Sequence, residues 1–462
     1  MPREMTDEWK GKSVLVLGLG DTGLSSLRWL ARHGARLRAA DTRAAPPALG
    51  TLREEQPGLR VSLGAFDASL LEGVDAVVAS PGIALREPIL AAAIERGIEV
   101  AGDVEVAARA LARHAPGVRV LGVTGTNGKS TVTALAAAMG KSAGLKSVAA
   151  GNIGLPVLDA LADFERDGLP DLLVIELSSY QLETTSSLEL AAAAMLNLSQ
   201  DHLDRYDSLA DYGRAKERIF LHCRTRVVNR DDAASLAMGR GEGTLSFGLG
   251  VPQGASQWGL DAKRESLLHG SERIIGVRAM AMPGLHNAAN GLAAHALCTA
   301  VGIDAAPLAR TLAGFKGLAH RVQEVAAANG VRFYDDSKGT NVGASVAALE
   351  GFAEPVVLIA GGDGKGQDFA PLAPAVARHA RAVVLIGRDA ARMAAALQAT
   401  GIPIHRAATL EEATQAAFHL AREGDAVLLS PACASFDMFR NYAHRGDVFA
   451  QAARALAQSR DG

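Results

Sequence analysis

The chain has 462 residues, of which 48% are hydrophobic and 21% are charged, and its formal net charge is −3. This length predicts about three domains, and the charge gives no overall attraction to nucleic acid or to an anionic membrane. The charged start MPREMTDEWKGK lacks the apolar core of a secretory signal, no apolar run approaches the roughly 18–20 residues that span a bilayer, and three widely spaced cysteines predict reduced thiols and disfavour a zinc site.

Short aliphatic runs alternate with alanine-rich stretches along the chain. The runs are SVLVLG, AVVAS, RVLGVTG, LLVIE, VVLIAGG, AVVLIG and AVLLSP. Apolar strands separated by helices predict parallel sheets covered on both faces, so the fold class is α/β. We place the domains at 1–107, 108–317 and 318–462. Residues 239–272 have mixed polarity and weak periodicity, and we expect short antiparallel strands or an excursion there.

The first glycine cluster, at Gly18–Gly23 in VLVLGLGDTG, has G-x-G-x-x-G spacing and follows a clear strand. Asp41 lies about twenty residues further on, as the dinucleotide-binding fingerprint requires. Alone, the cluster indicates an NAD-dependent dehydrogenase, although tight strand–helix packing without a ligand gives the same spacing. A UDP-sugar presents the same diphosphate to such a turn. Residues 41–43 could contact a uracil or phosphate, and residues 80–83 would face the same cleft.

A second glycine-rich loop, GVTGTNGKST, departs from the general phosphate-binding pattern. The pattern G-x-x-x-x-G-K-[ST] requires its first glycine where Val123 stands, and this chain has Gly125 instead. The loop still follows a strand and opens a helix, so we expect Lys129 to neutralise phosphates and Ser130 to bind Mg²⁺. The next strand ends in Glu176, whose burial would be costly unless it held a cation. The chain is therefore predicted to use ATP or GTP, which disfavours the dehydrogenase.

Several motifs together resemble the ATP-dependent Mur ligases, a family that builds the peptide stem of the bacterial cell wall. The motifs are GTNGKST, GNIG, ELSSYQLETT, DHLDRY, GLHNAAN, HR at 320–321, DDSKGTN, GGDGK and SPACASFDMF. They cover nearly the whole chain, and the departure at Gly125 is the family's own form of the loop. GLGDTG, DTR, SPGIAL and DSKGTN are most similar to the members that add D-glutamate. The asparagine-proline-arginine motif typical of members that add a diamino acid is missing.

The resemblance implies three domains: a Rossmann-like N-terminal domain, a central ATPase domain of the P-loop type with a parallel sheet, and a Rossmann-like C-terminal domain. They would bind UDP-N-acetylmuramoyl-L-alanine, ATP with two Mg²⁺ ions, and D-glutamate. The carboxylate of the substrate would attack the γ-phosphate, and the amine of D-glutamate would attack the resulting acyl phosphate. We expect a cytoplasmic monomer active in peptidoglycan synthesis. A dehydrogenase and a non-catalytic nucleotide-binding module remain alternatives, which an assay of phosphate release requiring both substrates would separate.

The resemblance also assigns roles to residues. The expected ATP site comprises Gly125, Thr126, Asn127, Gly128, Lys129, Ser130, Thr131, Asn290, Arg321 and Asp336. The expected UDP-substrate and amino-acid sites comprise Gly20, Asp21, Thr22, Asp41, Thr42, Arg43, Ser80, Gly82, Asn152, Ser178, His202, Lys338, Thr340, Lys365, Ser435 and Tyr442, the last replacing a phenylalanine. The expected Mg²⁺ ligands are Ser130, Glu176, His202 and Lys216, and the expected catalytic residues are Lys129, Glu176, His202, Lys216 and Asn152.

Lys216 is an unusual metal ligand, because an unperturbed lysine has a pKa near 10.4 and would place a cation beside a dication. Reaction with CO₂ converts the ammonium into a carbamate, which carries a negative charge and two oxygen ligands of the type that Mg²⁺ prefers. In the family the matching lysine is carbamylated. The resemblance therefore implies a carbamylated Lys216.

Overall fold

The computed structural model describes residues 8–202, 205–241, 243–282 and 284–458. Its three sheets follow one another along the chain, which confirms the α/β class and the three-domain architecture. The boundaries at 107/108 and 317/318 stay predictions, and a helix at Asp103–His114 runs through the first of them. The prediction that residues 1–12 are not a secretory signal falls mostly outside the described residues, which begin at residue 8. Within those residues, no helix is both long and apolar enough to cross a membrane.

The N-terminal domain is a parallel sheet with helices on both faces. Its elements are β1 (Ser13–Leu17), α1 (Asp21–Arg32), β2 (Arg36–Asp41), α2 (Leu49–Glu55), β3 (Arg60–Leu63), β4 (Ala76–Ala79), α3 (Pro88–Glu95), β5 (Glu99–Ala101) and α4 (Asp103–His114). The strand order is β3-β2-β1-β4-β5, as in a Rossmann-like half. Val14 and Val16 of β1 enter one apolar cluster, and Leu15 and Leu17 enter another on the opposite face. Burial on both faces explains why β1 reads as a continuous aliphatic run.

The central domain is built on a sheet of nine strands. Its elements are β6 (Arg119–Thr124), α5 (Lys129–Ser142), β7 (Ser147–Gly151), α6 (Val157–Asp167), β8 (Leu172–Glu176), α7 (Ser179–Glu183), β9 (Leu190–Met195), α8 (Leu209–Glu217), β10 (Cys223–Asn229), α9 (Ala233–Met238), β11 (Leu245–Phe247), β12 (Gln257–Leu260), β13 (Ser266–His269), β14 (Glu272–Gly276), α10 (Leu285–Ala300) and α11 (Ala305–Gly314). The order is β14-β13-β12-β11-β10-β9-β6-β8-β7.

Residues 239–272 extend this central sheet. The expected antiparallel pairing is confirmed for β12 with β13 and for β13 with β14. It is wrong for β11, which pairs parallel with both β10 and β12. The physical reason is burial, since Phe247 of β11 packs into the same apolar cluster as Leu292 of α10. This packing holds the segment against the sheet. The periodicity of its sequence is too weak to predict that position.

The C-terminal domain contains a six-stranded sheet of order β15-β16-β20-β17-β18-β19. Its elements are β15 (Gln323–Ala328), β16 (Val331–Asp335), α12 (Val342–Glu350), β17 (Val356–Gly361), α13 (Ala373–His379), β18 (Ala380–Ile386), α14 (Ala390–Leu397), β19 (Ile404–Arg406), α15 (Leu410–Leu420), β20 (Ala426–Leu429) and α16 (Tyr442–Gln458). Only β15 is antiparallel to its neighbour among these described strands. The turn between β15 and β16 is Asn329–Gly330, both with positive φ, as a tight hairpin turn requires.

The two domain junctions differ in character. One apolar cluster contains Trp29 of α1 together with Leu161 of α6, so the N-terminal and central domains share a core. Among the described residues, no apolar cluster joins the central domain to the C-terminal domain. Side-chain hydrogen bonds join those two domains instead, for example from Arg321 to Ser130. A polar junction of this kind is typical of domains that move relative to each other.

Candidate active site

The phosphate-binding loop lies between β6 and α5 at the carboxyl end of the central sheet. Gly125 has φ +148°, and a Cβ atom there would lie 2.9 Å from Leu196 Cβ. Gly128 has φ +84°, and its Cβ would lie 2.5 Å from Asn290 Oδ1. Both positions therefore require glycine, because a side chain would be strained and would collide with the neighbouring loop or helix. Gly125, the glycine that departs from the general pattern, is therefore required for this loop to pack against the end of β9.

Lys129 is the first residue of α5 and folds back over the loop. Its Nζ donates hydrogen bonds to the carbonyl oxygens of Gly125 at 3.0 Å and Thr126 at 2.8 Å. Removal from water lowers the pKa of Lys129 below its ordinary value, while the carboxylate of Glu176 acts in the opposite direction. The amine is thus held at the loop, where phosphates would contact it.

Glu176 ends β8, and its side chain is 1% exposed. Its Oε1 accepts a hydrogen bond of 3.0 Å from Asn152 Nδ2, whereas its buried Oε2 has no hydrogen-bond partner among the described residues. A buried carboxylate oxygen without a partner is costly. The observation fits a site for a hard cation such as Mg²⁺, which takes oxygen ligands. The structure thus brings two of the expected catalytic residues, Asn152 and Glu176, into contact, and their roles stay predictions.

His202 follows β9 in the central domain and has φ +55°. Its Nδ1 lies 2.6 Å from the hydroxyl of Tyr180, and its Nε2 lies 3.7 Å from Asp201 Oδ2. Burial lowers the pKa of His202 to about 4, with Asp201 opposing the shift. The imidazole is therefore neutral at pH 7. When Nδ1–H donates to Tyr180, the lone pair on Nε2 is free to bind a metal ion.

Lys216 lies on α8 and is 1% exposed. Its Nζ donates a hydrogen bond of 2.8 Å to the carbonyl of Gly125, and it lies 4.5 Å from the centre of the Tyr212 ring. Burial lowers the pKa of this amine well below its ordinary value, and the charge of Lys129 lowers it further. Among the described residues, no carboxylate forms an ion pair with Lys216. The structure therefore places a buried amine of low basicity directly against the phosphate-binding loop.

The first cavity, of about 210 Å³, lies between the central and C-terminal domains. The expected ATP residues among those lining it are Asn127, Gly128, Thr131, Asn290, Arg321 and Asp336. Gly125, Thr126, Lys129 and Ser130 lie in the adjoining loop, and Arg321 Nη2 donates a 2.6 Å hydrogen bond to Ser130 Oγ. Burial raises the pKa of Asp336 to about 7, although a 2.7 Å hydrogen bond from Ser430 lowers it. The cavity thus brings the expected nucleotide residues of two domains together.

The second cavity is a cleft of about 730 Å³ that reaches all three domains. The expected substrate residues among those lining it are Gly20, Asp21, Thr22, Asp41, Thr42, Arg43, Ser80, Gly82, Asn152, Lys338 and Tyr442. Asp41 accepts hydrogen bonds from the Arg43 guanidinium at 2.8 and 2.6 Å, and these lower the pKa of Asp41 to about 2. Ser80 Oγ donates a 2.9 Å hydrogen bond to Gly18 O, which joins the loop after β4 to the glycine-rich turn after β1.

Lys338 lines both the first cavity and the cleft. Its Nζ lies 3.9 Å from the centre of the Tyr442 ring, within the range of a cation–π contact. Burial lowers the pKa of Lys338 to about 8, and the charge of Arg321 adds to that effect. A single amine therefore lies where the two cavities adjoin.

Three further residues of the expected amino-acid site, Thr340, Lys365 and Ser435, do not line either cavity. Lys365 and Ser435 lie on loops that follow β17 and β20, and Asp363 and Ala434 join these loops by backbone hydrogen bonds of 3.0 and 2.8 Å. The charge of Lys365 contributes to the lowered pKa of His202, so the two lie in the same region. Thr340 donates its backbone N–H to the carbonyl of Lys338 at 2.8 Å.

Ser178 has a structural contact that the sequence reading did not include. It is the N-cap of α7 and accepts a 3.2 Å hydrogen bond from the backbone N–H of Gln181. Ser178 and Gln181 form a capping box, in which the glutamine side chain also reaches back to the Ser178 backbone. The expected substrate contact of Ser178 stays a prediction.

Sequence reasoning missed other residues that line the cavities. Phe247, from the extension of the central sheet, lines the first cavity, and Asp103 and Gln181 line the cleft. Asp103 is 3% exposed, and burial raises its pKa to about 6. A usable signal existed for Gln181, because it falls within the ELSSYQLETT motif. The weakly periodic segment around Phe247 contains no comparable sequence motif.

The chain matches three family descriptions in succession. Residues 12–102 match "Mur ligase MurD-like, N-terminal domain". Residues 123–298 match "Mur ligase middle domain", and residues 320–433 match "Mur ligase, glutamate ligase domain". Each range overlaps one of the three sheets. The first includes the glycines at 18–23, and the second includes Gly125 and Gly128 of the phosphate-binding loop.

Curated relatives match over nearly the full length. The UDP-N-acetylmuramoylalanine--D-glutamate ligase of Methylobacillus flagellatus is 56% identical, covering 97% of this chain and 98% of its own. That of Thiobacillus denitrificans is 53% identical with the same coverage of 97% and 98%. Among solved structures, the UDP-N-acetylmuramate-alanine ligase of Thermotoga maritima has a TM-score of 0.59 at 19% identity, covering 97% of this chain and 99% of its own. A pseudomurein peptide ligase from Methanothermus fervidus has a TM-score of 0.57 at 19% identity, covering 91% and 96%. The two structures share the fold.

Proposed function

The chain belongs to the Mur ligase family, and we propose that it joins D-glutamate to UDP-N-acetylmuramoyl-L-alanine with cleavage of ATP to ADP and phosphate. The observation that carries the proposal is the position of Lys338, which lines both the nucleotide cavity and the cleft. A reaction between the end of one substrate and the γ-phosphate of another needs such a junction. The names of the curated relatives support D-glutamate as the amino acid added.

The cleft supports the binding of a UDP-linked substrate. Gly20 lines it at the start of α1, where the helix N-terminus favours a diphosphate. Asp41 and Arg43 pair with each other at the end of β2. Together with Thr42 they line the cleft, where they would contact the uracil or the diphosphate of the substrate. From there the cleft leads to Asn152, beside Glu176, where the L-alanyl carboxylate of the substrate would end.

The residues present fit two Mg²⁺ ions. Glu176 offers its unpartnered oxygen, and Ser130 offers a hydroxyl on the first turn of α5, for one ion. We propose that His202 and a carbamylated Lys216 hold the second ion. Carbamylation requires a neutral amine, and the buried position of Lys216 favours that form. When bound, the ions would neutralise charge on the phosphate that is transferred.

In the proposed mechanism, the residues position two anions that repel each other. The L-alanyl carboxylate attacks the γ-phosphorus, the bond to the ADP oxygen breaks, and Lys129 neutralises charge on the phosphate oxygens. The amine of D-glutamate then attacks the carbonyl of the acyl phosphate, and phosphate leaves. By the family resemblance, Lys338 and Lys365 of the C-terminal domain would hold the carboxylates of D-glutamate, and the position of Lys338 in both cavities supports its part in this role. Orientation of this kind removes roughly 7–11 kcal/mol from such barriers.

Both cavities are formed within one chain, and we therefore propose that the enzyme acts as a monomer. Its three free cysteines support the proposal that it acts in the cytoplasm. The ligase proposal is tested by ADP formation with UDP-N-acetylmuramoyl-L-alanine and a panel of D-glutamate, L-glutamate, D-aspartate and meso-diaminopimelate. We expect ADP formation that requires both the UDP-substrate and D-glutamate. Equal rates with the diamino acid, or ADP formation without any amino acid, would contradict the proposal.

A further inference from the structure

Asn341 makes polar contacts across the junction between the C-terminal and central domains. It lies at the end of the DDSKGTN motif and is 4% exposed. No apolar cluster of described residues crosses this junction. Individual hydrogen bonds must therefore determine how the two domains fit together.

The side-chain amide of Asn341 has three partners. Its Oδ1 accepts a 2.9 Å hydrogen bond from the Ala344 N–H, which caps α12 within its own domain. Its Nδ2 donates to Asn127 Oδ1 at 3.1 Å and to Asp201 Oδ2 at 3.2 Å, both in the central domain. Two donors and an acceptor are thus used at once. Serine or aspartate would cap the helix as well, so capping alone does not explain an asparagine here.

Each partner in the central domain leads directly to a reactive group. Asn127 belongs to the phosphate-binding loop, two residues before Lys129. Asp201 accepts a 2.9 Å hydrogen bond from the backbone N–H of His202 through its other oxygen, Oδ1. Asn341 therefore connects the C-terminal domain to the nucleotide loop and to the proposed metal ligand through one intervening side chain each.

We propose that Asn341 is a positioning residue that couples closure of the C-terminal domain to the placement of the phosphate-binding loop and of His202. The coupling rests on the proposed ligase function, since it brings the domain that holds D-glutamate into register with the groups that transfer phosphate. It predicts that the donors of Asn341, and not its capping oxygen, determine the rate of ligation.

Two substitutions separate these roles. Asn341→Ser and Asn341→Asp both keep an oxygen that caps α12. Aspartate loses both N–H donors of the carboxamide, and serine replaces them with a single hydroxyl donor. We expect kcat/KM for D-glutamate to fall roughly ten- to hundredfold, as for the loss of hydrogen bonds to a buried loop and a carboxylate. The kcat/KM of Asn341→Asp should fall further, because the new carboxylate would lie beside that of Asp201. KM for UDP-N-acetylmuramoyl-L-alanine should stay within about twofold. The melting temperature of Asn341→Ser should fall less than that of Asn341→Ala, which also loses the cap.

An exchange of side chains tests the hydrogen bond itself. The double variant Asn341→Asp/Asp201→Asn moves the carboxylate to position 341 and the carboxamide to position 201, so the net charge of the pair is unchanged. Donor and acceptor are reversed, and the oxygen that accepts from His202 N–H is kept. We expect kcat/KM to recover to within about tenfold of the wild type. Losses that simply multiply in the double variant would overturn the inference.

Small-angle scattering provides a readout that does not depend on the amino acid substrate. With adenylyl imidodiphosphate and Mg²⁺ bound, we expect the wild type to be compact and Asn341→Ser to be more extended. If the wild type forms no product with D-glutamate while this difference is seen, the ligase proposal fails and the coupling by Asn341 stands. If Asn341→Ser is as compact as the wild type and keeps its kcat/KM, the coupling is refuted.

Discussion

Arg321 Nη2 donates a 2.6 Å hydrogen bond to Ser130 Oγ, and this contact joins the C-terminal domain to the first turn of α5. Ser130 is a proposed Mg²⁺ ligand, and Arg321 lines the nucleotide cavity. The arginine therefore sets the direction of a hydroxyl that would coordinate the ion. The proposed nucleotide site is lined by residues of both domains, so ATP binding there would depend on their relative position.

The glycine at position 20 tests the assignment of the cleft to the UDP-substrate. A Cβ at Gly20 meets no heavy atom within 4 Å, so Gly20→Gln should fold normally and project into the cleft. We expect KM for UDP-N-acetylmuramoyl-L-alanine to rise more than about tenfold, with KM for ATP within about twofold. Gly50→Gln is the control, because Gly50 is exposed on α2 and equally free of neighbours. Equal rises in both KM values, or tight binding of NAD, would contradict the assignment.

Lys129 tests the phosphate-binding loop. Lys129→Ala removes the amine that lies against the carbonyls of Gly125 and Thr126. We expect kcat/KM for ATP to fall about a thousandfold, a loss of roughly 4 kcal/mol of transition-state stabilisation. The exposed Lys141, in the last turn of the same helix, provides the control variant Lys141→Ala. A Lys129→Ala enzyme with nearly normal kcat would show that the loop does not act on the transferred phosphate.

Lys216 tests the proposed carbamate. Protein equilibrated with ¹³C-labelled bicarbonate should show a carbamate resonance that is absent from Lys216→Ala. The variant should lose most activity but still bind UDP-N-acetylmuramoyl-L-alanine, and acetate should restore part of the rate by supplying carboxylate oxygens. Acetate should not rescue Lys129→Ala, which lacks a cation and not an anion. Full activity of Lys216→Ala would exclude a carbamate role.

The amine of Lys338 should make KM for D-glutamate depend on pH in the alkaline range. Burial lowers its pKa to about 8, so the amine is a cation below this pH and loses its charge as the pH rises through it. If the cation holds a carboxylate of D-glutamate, KM for D-glutamate should rise by about tenfold per pH unit above pH 8. Lys338→Arg should move this rise to higher pH, because arginine stays protonated. A KM that does not change between pH 7 and pH 9.5 would remove Lys338 from this role.

The positions of both glycine-rich turns could be predicted from sequence. Gly125 and Gly128 follow an apolar strand and precede a helix, and the carboxyl ends of parallel strands lie at one edge of a sheet. Glu176 was predictable for the same reason, because its strand neighbours the strand that leads into the loop. Local patterns identify such residues since the strand, the turn and the helix are contiguous in the chain.

Contacts across the domain junctions could not be predicted in this way. Asn341 reaches Asn127 and Asp201 over separations of 214 and 140 residues, and their geometry depends on how two folded domains pack. Phe247 lines the nucleotide cavity from a short strand whose burial, and not its periodicity, places it there. The glycine-rich loops could thus be identified from local sequence patterns. The contacts between domains that enclose the candidate site could not.

An isotope experiment tests whether phosphate is transferred to the substrate carboxylate at the junction marked by Lys338. UDP-N-acetylmuramoyl-L-alanine labelled with ¹⁸O in its carboxylate is converted with ATP and D-glutamate, and the released phosphate is analysed by mass spectrometry. Attack of the carboxylate on the γ-phosphorus predicts that each phosphate carries one labelled oxygen from the carboxylate. Release of unlabelled phosphate during formation of the amide would exclude attack of the carboxylate on the γ-phosphorus.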